Sequence, residues 1–253
     1  MKSHAFDYAR PKDVAEALKF LAQGGKAAAG TQSLGPMLNL RLVQPTLLVD
    51  LRFIPELKAV SENSEHVSLG ACVTHAQIED GKVPDPTGGF LREVASNIAY
   101  RAVRNRGTVG GSLVHADPAA DWPSALTLLG ATAVIAGPKG RRELPLERFL
   151  KGIFETDLSE EELLLCVRIP KRSKAARYGY WKFCRKVGEF PQAIGAALRD
   201  PERNEKRTVV GATDGAPRLF LQLDPDLSGI GKDAYARQLH KVALKRAVAK
   251  VTS

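Results

Sequence analysis

Apolar positions fall into helical spacing in only a few parts of the chain. In residues 11–21, Val14, Ala17, Leu18 and Leu21 lie on one side of a 3.6-residue turn, which predicts a helix opened by Pro11 and closed by Gly24 and Gly25. Residues 26–29 make a short apolar step into a glycine turn. Residues 46–51 and 66–70 read as strands, and residues 90–100 read as a helix that runs into the basic stretch from Arg101 to Arg106. The β-branched run at 131–136 predicts a strand, and Gly137-Pro138-Lys139-Gly140 predicts the hairpin turn after it. Beyond Pro170, residues 179–198 and 208–211 read as strands. The tail from Lys232 reads as a helix with Tyr235, Leu239 and Val242 on one face, interrupted by Arg246. There is no internal repeat and no low-complexity linker.

Composition narrows the class. At 253 residues and 44% hydrophobic, the chain can bury a large core in one large domain or a few smaller ones. No apolar run approaches the ~20 residues of a membrane helix, and the N-terminal residues lack the apolar centre of a secretory signal, so a cytoplasmic protein without a membrane span is expected. Cys72, Cys166 and Cys184 are far apart, with no CxxC pair and no histidine at ligand spacing. That excludes a zinc or iron-sulfur site built from this chain alone and points to reduced structural thiols. The net charge of +9 is scattered over Arg101, Arg104, Arg106, residues 139–142, 171–177 and 241–246 without aromatic interleaving, so nucleic acid is not the expected partner.

Candidate chemistry lies in two glycine loops. In the first, Ala27, Ala28, Ala29 and Gly30 leave the backbone bare, while Thr31, Gln32 and Ser33, followed by Leu34, set hydroxyl and amide groups beside free N–H donors. Such a loop suits an anionic oxygen cluster, although it is also ordinary turn chemistry. In the second, Thr108-Val109-Gly110-Gly111-Ser112, the paired glycines serve either a tight turn or a ligand lying on the peptide groups, and Asp121 further on can accept from sugar hydroxyls. Neither loop is GxGxxG or a Walker loop. None of the five histidines makes a triad or a metal pattern, so no catalytic residue and no metal ligand is assigned.

Residues 29–42, AGTQSLGPMLNLRL, resemble an AGGxSLxPMLxLRL loop, and residues 98–121, IAYRAVRNRGTVGGSLVHADPAAD, resemble an IRNRGTxGGNxxxxxPxxD loop. Residues 161–170, EELLLCVRIP, are similar to an EEIL…V.IP strand, and residues 181–190, WKFCRKVGEF, to a KxxRRxGDY segment. Together and in this order they resemble the FAD-binding medium subunit of molybdenum hydroxylases, the group of the carbon monoxide dehydrogenase medium subunit and the xanthine dehydrogenase flavin domain. The chain departs from the pattern at Thr31, where the family has a second glycine, at Ser112 for Asn and at Glu189 for Asp.

The resemblance implies an α+β chain: a two-subdomain p-cresol methylhydroxylase-type FAD-binding fold over 1–172, divided near residue 58, followed by a small α+β C-terminal domain over 173–253. It implies that residues 27–34 wrap the FAD pyrophosphate and that Thr108, Gly110, Gly111, Ser112 and Asp121 complete the nucleotide site, with His115, Ala116 and Ala120 in the same matched stretch. It places Ile98, Leu164, Lys182 and Phe190 near the isoalloxazine ring. It further implies a [2Fe-2S] small subunit and a molybdenum cofactor-binding large subunit as partners, this chain passing electrons to an external acceptor. A stand-alone flavin oxidase of the same fold and a cofactor-free basic scaffold remain the alternatives.

Overall fold

The computed structural model describes residues 2–252. The chain opens with a parallel sheet. β1 (Asp7–Ala9) and β2 (Lys26–Ala28) flank β3 (Leu47–Asp50), with α1 (Val14–Ala22) and α2 (Leu34–Asn39) in the connections. Helix α1 begins where Asp13 accepts from the Glu16 N–H, and Val14, Ala17 and Leu21 are its buried face, as the spacing predicts.

The central unit is an antiparallel sheet in the order β4 (Val60–Glu62), β5 (His66–Gly70), β10 (Leu163–Pro170), β6 (Thr132–Gly137), β7 (Gly140–Pro145). The predicted hairpin is present, with Gly137 opposite Gly140 and Gly140 at φ 102°, a value only glycine adopts freely. Between β5 and β6 lie α3 (His75–Glu79), α4 (Phe90–Ser96), α5 (Arg101–Arg104), α6 (Val109–His115) and α7 (Asp121–Leu128). The expected single helix over 90–100 is broken. It ends at Ser96, the chain turns with Ala99 at φ 43°, and α5 is a separate turn. After β7 come α8 (Leu146–Phe149) and the small hairpin of β8 (Leu150–Gly152) and β9 (Glu155–Thr156).

The last unit is an antiparallel sheet of β11 (Arg177–Phe183), β12 (Ala193–Asp200), β13 (Glu205–Gly211) and β14 (Arg218–Phe220), covered by α9 (Ala234–Thr252). The run 179–198, expected as one strand, is two strands joined by a loop over 184–192, and the strand expected at 208–211 begins at Glu205. The tail helix forms, but its buried face is His240, Ala243, Leu244, Ala247 and Val251 rather than Tyr235, Leu239 and Val242. Arg246 is no interruption, since its guanidinium lies 4.7 Å from the Trp181 ring centroid and 5.2 Å from that of Phe183.

Two glycines let α9 lie directly on the sheet. A Cβ on Gly195 would sit 2.4 Å from the Ala243 carbonyl carbon, and one on Gly179 would sit 2.0 Å from the Ala247 oxygen. Both neighbours are backbone and cannot give way by rotation. Gly195→Ala is therefore expected to lower the unfolding free energy by ~2 kcal/mol or more, read as a fall in the urea midpoint. An unchanged midpoint would show that α9 is not seated this closely.

Candidate functional site

The two glycine loops meet. A Cβ on Gly30 would lie 2.0 Å from the Arg106 carbonyl oxygen and 2.8 Å from the Gly107 Cα, so only a bare residue allows the first loop to rest on the second. Among the described residues, the N–H groups of Gly30, Thr31, Gln32 and Ser33 donate to no protein acceptor, and Ser33 gives the N-terminus of α2 no side-chain cap. Unpaired donors grouped on an accessible loop are what an anionic oxygen cluster requires. Thr31 stands at φ 57°, a left-handed conformation disfavoured for a β-branched residue, and its hydroxyl makes no hydrogen bond in the described structure.

The second loop has a different role from the one its glycines imply. Gly110 and Gly111 are not in a turn; they form the first turn of α6, capped by Thr108, whose Oγ accepts from the Gly111 N–H at 3.0 Å. The Gly110 N–H donates to the Ala71 carbonyl at 2.9 Å, and a Cβ there would lie 2.4 Å from that of Ala71. Gly110 is thus a packing residue with a committed donor. Gly111 is exposed; a Cβ there would press on the Thr108 Oγ at 2.8 Å and reach the Ala29 Cβ at 4.0 Å. The free N–H donors therefore belong to the first loop, and the second carries no side chains at Gly110 and Gly111. Ser112 is half-buried, its N–H taken by the Thr108 carbonyl.

Asp121, expected to meet sugar hydroxyls, begins α7 and is buried in an ion pair. Its carboxylate takes Lys182 Nζ at 2.8 and 3.0 Å and the Tyr180 hydroxyl at 2.6 Å. Burial pushes the Asp121 carboxyl above its usual range against the lowering effect of Lys182, and burial beside Asp121 keeps the Tyr180 hydroxyl protonated as a donor. Lys182, expected near the isoalloxazine ring, is committed twice, since Nζ also donates to the Asn97 carbonyl at 2.9 Å. Ile98 follows Asn97, and Arg104 fixes this turn by donating to the Ile98 and Ala99 carbonyls at 2.9 and 3.2 Å while pairing with both Glu79 oxygens. Phe190 is 64% exposed on the 184–192 loop, and Tyr100 holds that loop by donating to the Val187 carbonyl at 3.1 Å. Leu164 is separate from this group. It is 2% exposed within the central core, so packing accounts for it. His115 stacks on Phe154 at 5.0 Å, Ala116 takes the Phe154 N–H on its carbonyl at 3.0 Å, and Ala120 is the half-buried residue before α7.

Several site residues escaped the sequence reading. Tyr180 had a signal, because it shares a strand face with Lys182 two positions on. His75 had none. It is buried beneath Gly107, accepts the Trp122 indole N–H at 2.9 Å and is pushed down to about 3 by burial and then by Arg104. The cysteines are unpaired, as expected, and burial raises the thiol of Cys72 to about 12.

A loop of unpaired N–H donors resting on the Arg106–Gly107 backbone makes a site suited to an anionic, phosphate-bearing ligand. The chain belongs to the family described as the FAD binding domain in molybdopterin dehydrogenase, which matches residues 4–172. It is 36% identical to the carbon monoxide dehydrogenase medium chain of Afipia carboxidovorans over 97% of this chain and 85% of that one. It is also 36% identical to the caffeine dehydrogenase subunit beta of a Pseudomonas species over 92% of this chain and 82% of that one. A chain of the carbon monoxide dehydrogenase structure from Hydrogenophaga pseudoflava superposes with a TM-score of 0.91 at 28% identity, covering 100% of this chain and 99% of that one. The α+β flavin fold is therefore as expected, and the chain is an FAD-binding oxidoreductase subunit of this family. No helix among the described residues is long and apolar enough to cross a membrane.

Two outcomes follow from this geometry. Thr31→Gly removes left-handed strain and should leave stability unchanged or raise it by up to ~1 kcal/mol, whereas a loss larger than that in urea unfolding would mean the threonine side chain holds the turn. His75 is neutral when folded and takes a proton near pH 6.5 when unfolded. Its contribution is thus complete above that pH and is lost as pH falls toward about 3, at about 1.4 kcal/mol per pH unit. His75→Gln keeps an acceptor for Trp122 without titrating, so its stability should fall less steeply between pH 6 and 4; parallel curves for the two proteins would contradict the assignment.

Proposed function

We propose that this chain is the flavin-bearing electron-transfer subunit of a cytoplasmic, heteromeric molybdenum hydroxylase. It takes electrons from a [2Fe-2S] small subunit, fed in turn by a molybdenum cofactor-binding large subunit, and passes them to an external acceptor. The observation that carries the reading is the junction of the two loops, where Gly30 rests on the Arg106–Gly107 backbone and the N–H groups of Gly30 to Ser33 find no protein acceptor among the described residues. The named relatives, a medium chain and a subunit beta, support the assembly. Within the chain, residues 1–172 form the FAD-binding domain, its subdomains meeting near residue 58, and 173–253 form the C-terminal domain.

FAD, when bound, supplies one- and two-electron redox chemistry. Residues 27–34 hold its phosphates through backbone donors, and Gly111 with Ser112 leaves them room. Asp121 holds Lys182 in place beside the Asn97–Ile98 turn, as a pair without net charge that positions the turn rather than supplying a free cation. Ile98 is held by Arg104, and the exposed Phe190 ring offers an apolar plate. Among the described residues no group of three His, Cys, Asp or Glu side chains is placed to hold a metal ion.

The two glycines give a matched test. Gly111 has no left-handed φ and its Cβ would meet closely only the Thr108 hydroxyl, a side chain that can shift, so Gly111→Val should fold, by circular dichroism, yet lose FAD at least tenfold; Gly110→Val should lose the fold itself by driving α6 off Ala71. Full FAD occupancy in Gly111→Val would remove Gly111 from the site. Expressed alone, the chain should release intact FAD on heating and accept electrons from dithionite, but oxidise no purine, aldehyde, N-heterocycle or carbon monoxide. Robust oxidation of any of these by the chain free of iron and molybdenum would make it a stand-alone oxidase.

A further inference from the structure

The C-terminal sheet carries three cations in a row. Arg177 on β11 is directly opposite Arg199 on β12, and Arg199 is directly opposite Lys206 on β13, so all three side chains leave the same face. All three are exposed, and none lies within 4.0 Å of a carboxylate among the described residues. The acids of these strands face the other way. Asp200 is opposite Glu205 on the reverse face, where Glu205 pairs with Arg172 and Arg207, and Asp200 is taken up by Ser173 and nearby backbone N–H groups. Strand alternation has thus separated a neutralised face from an uncompensated one.

Like charges directly opposite one another in a sheet are destabilising. Among the described residues one local source of relief exists. As α9 runs from Ala243 over Gly195 to Ala247 over Gly179, its carbonyl end approaches the strand pair that carries Arg177 and Arg199, and that end bears about half a negative charge. Half a charge does not balance three. We propose that Arg177, Arg199 and Lys206 form a docking surface for a carboxylate-rich segment of a partner protein. The row is flat, spans three strands spaced about 4.8 Å apart, and presents two guanidinium forks suited to carboxylates. No exposed aromatic lies on β11, β12 or β13 for a base to stack on, which disfavours single-stranded nucleic acid.

The test uses the full chain with its FAD and, as probe, a fluorescent poly-L-glutamate of about fifteen residues. Binding should weaken steeply with salt and fall about tenfold or more in the triple variant Arg177→Gln, Arg199→Gln, Lys206→Gln, while FAD content is unchanged. The single variant Arg199→Gln, which removes the central repulsion, should raise the urea midpoint. A lowered midpoint in Arg199→Gln would show that the cations serve the end of α9 and would overturn the proposal. So would equal poly-glutamate binding by the triple variant, or tighter binding of a duplex DNA of equal charge than of poly-glutamate. Because FAD content is read separately, failure of this surface is distinguishable from failure of the flavin site.

Discussion

The approach of Gly30 to the Arg106–Gly107 backbone is the constraint from which the site follows. At 2.0 Å from a would-be Cβ to a carbonyl oxygen, the contact admits no side chain and no slack, so the free donors after Gly30 are held wherever Arg106 and Gly107 are held. The second loop is correspondingly over-determined. Arg104 clamps its entry through Glu79 and two carbonyls, His75 and Trp122 lie beneath Gly107, and Thr108 both bridges to Thr74 and caps α6. Thr74 is itself locked by a capping box with Gln77. Paired charges that look like surface decoration in the sequence therefore position a backbone on which another backbone rests.

A second constraint joins the C-terminal sheet to this arrangement. Asp121, Lys182 and Tyr180 form a buried cluster, with Lys182 and Asp121 side chains 13% and 6% exposed. Such a pair adds little net stability over an apolar contact, but removing one partner strands a buried charge at roughly 3–5 kcal/mol. Its value is in geometry. It ties strand β11 to the start of α7 and to the Asn97 turn, so the loop bearing Phe190 and the turn bearing Ile98 are fixed relative to one another. Beneath it, Gly179 and Gly195 seat α9 on the opposite side of the same sheet.

Much of this was legible in the sequence wherever local chemistry decides structure. Helix α1 has its apolar spacing, though its start is set by Asp13 rather than Pro11, the Gly137–Gly140 hairpin has its turn residues, and the two glycine loops declare themselves. What was not legible depends on distant partners. Ala99 takes a left-handed φ because Arg104 holds the carbonyls on either side of the turn, which no local rule encodes. The 184–192 loop reads as strand until Tyr100, far away in the chain, is seen to anchor it. Gly110 and Gly111 look equivalent, yet Ala71 closes on one and not the other. Asp121 and Lys182 were both singled out as ligand contacts, and their mutual pairing across 61 positions could come only from the fold.

The central claim is that backbone donors at Gly30 to Ser33 recognise a pyrophosphate, and flavin discrimination tests it most directly. Apo-protein titrated separately with FAD, FMN and riboflavin, with quenching of flavin fluorescence as the readout, reports how much of the affinity resides in the diphosphate. FAD should saturate at one per chain and bind at least about a hundredfold more tightly than FMN, a difference of roughly 2.7 kcal/mol that the extra phosphate contacts and adenosine must supply. Equal affinity for FMN and FAD would mean that the two loops do not hold the pyrophosphate, and the account of the site built on Gly30 would be wrong.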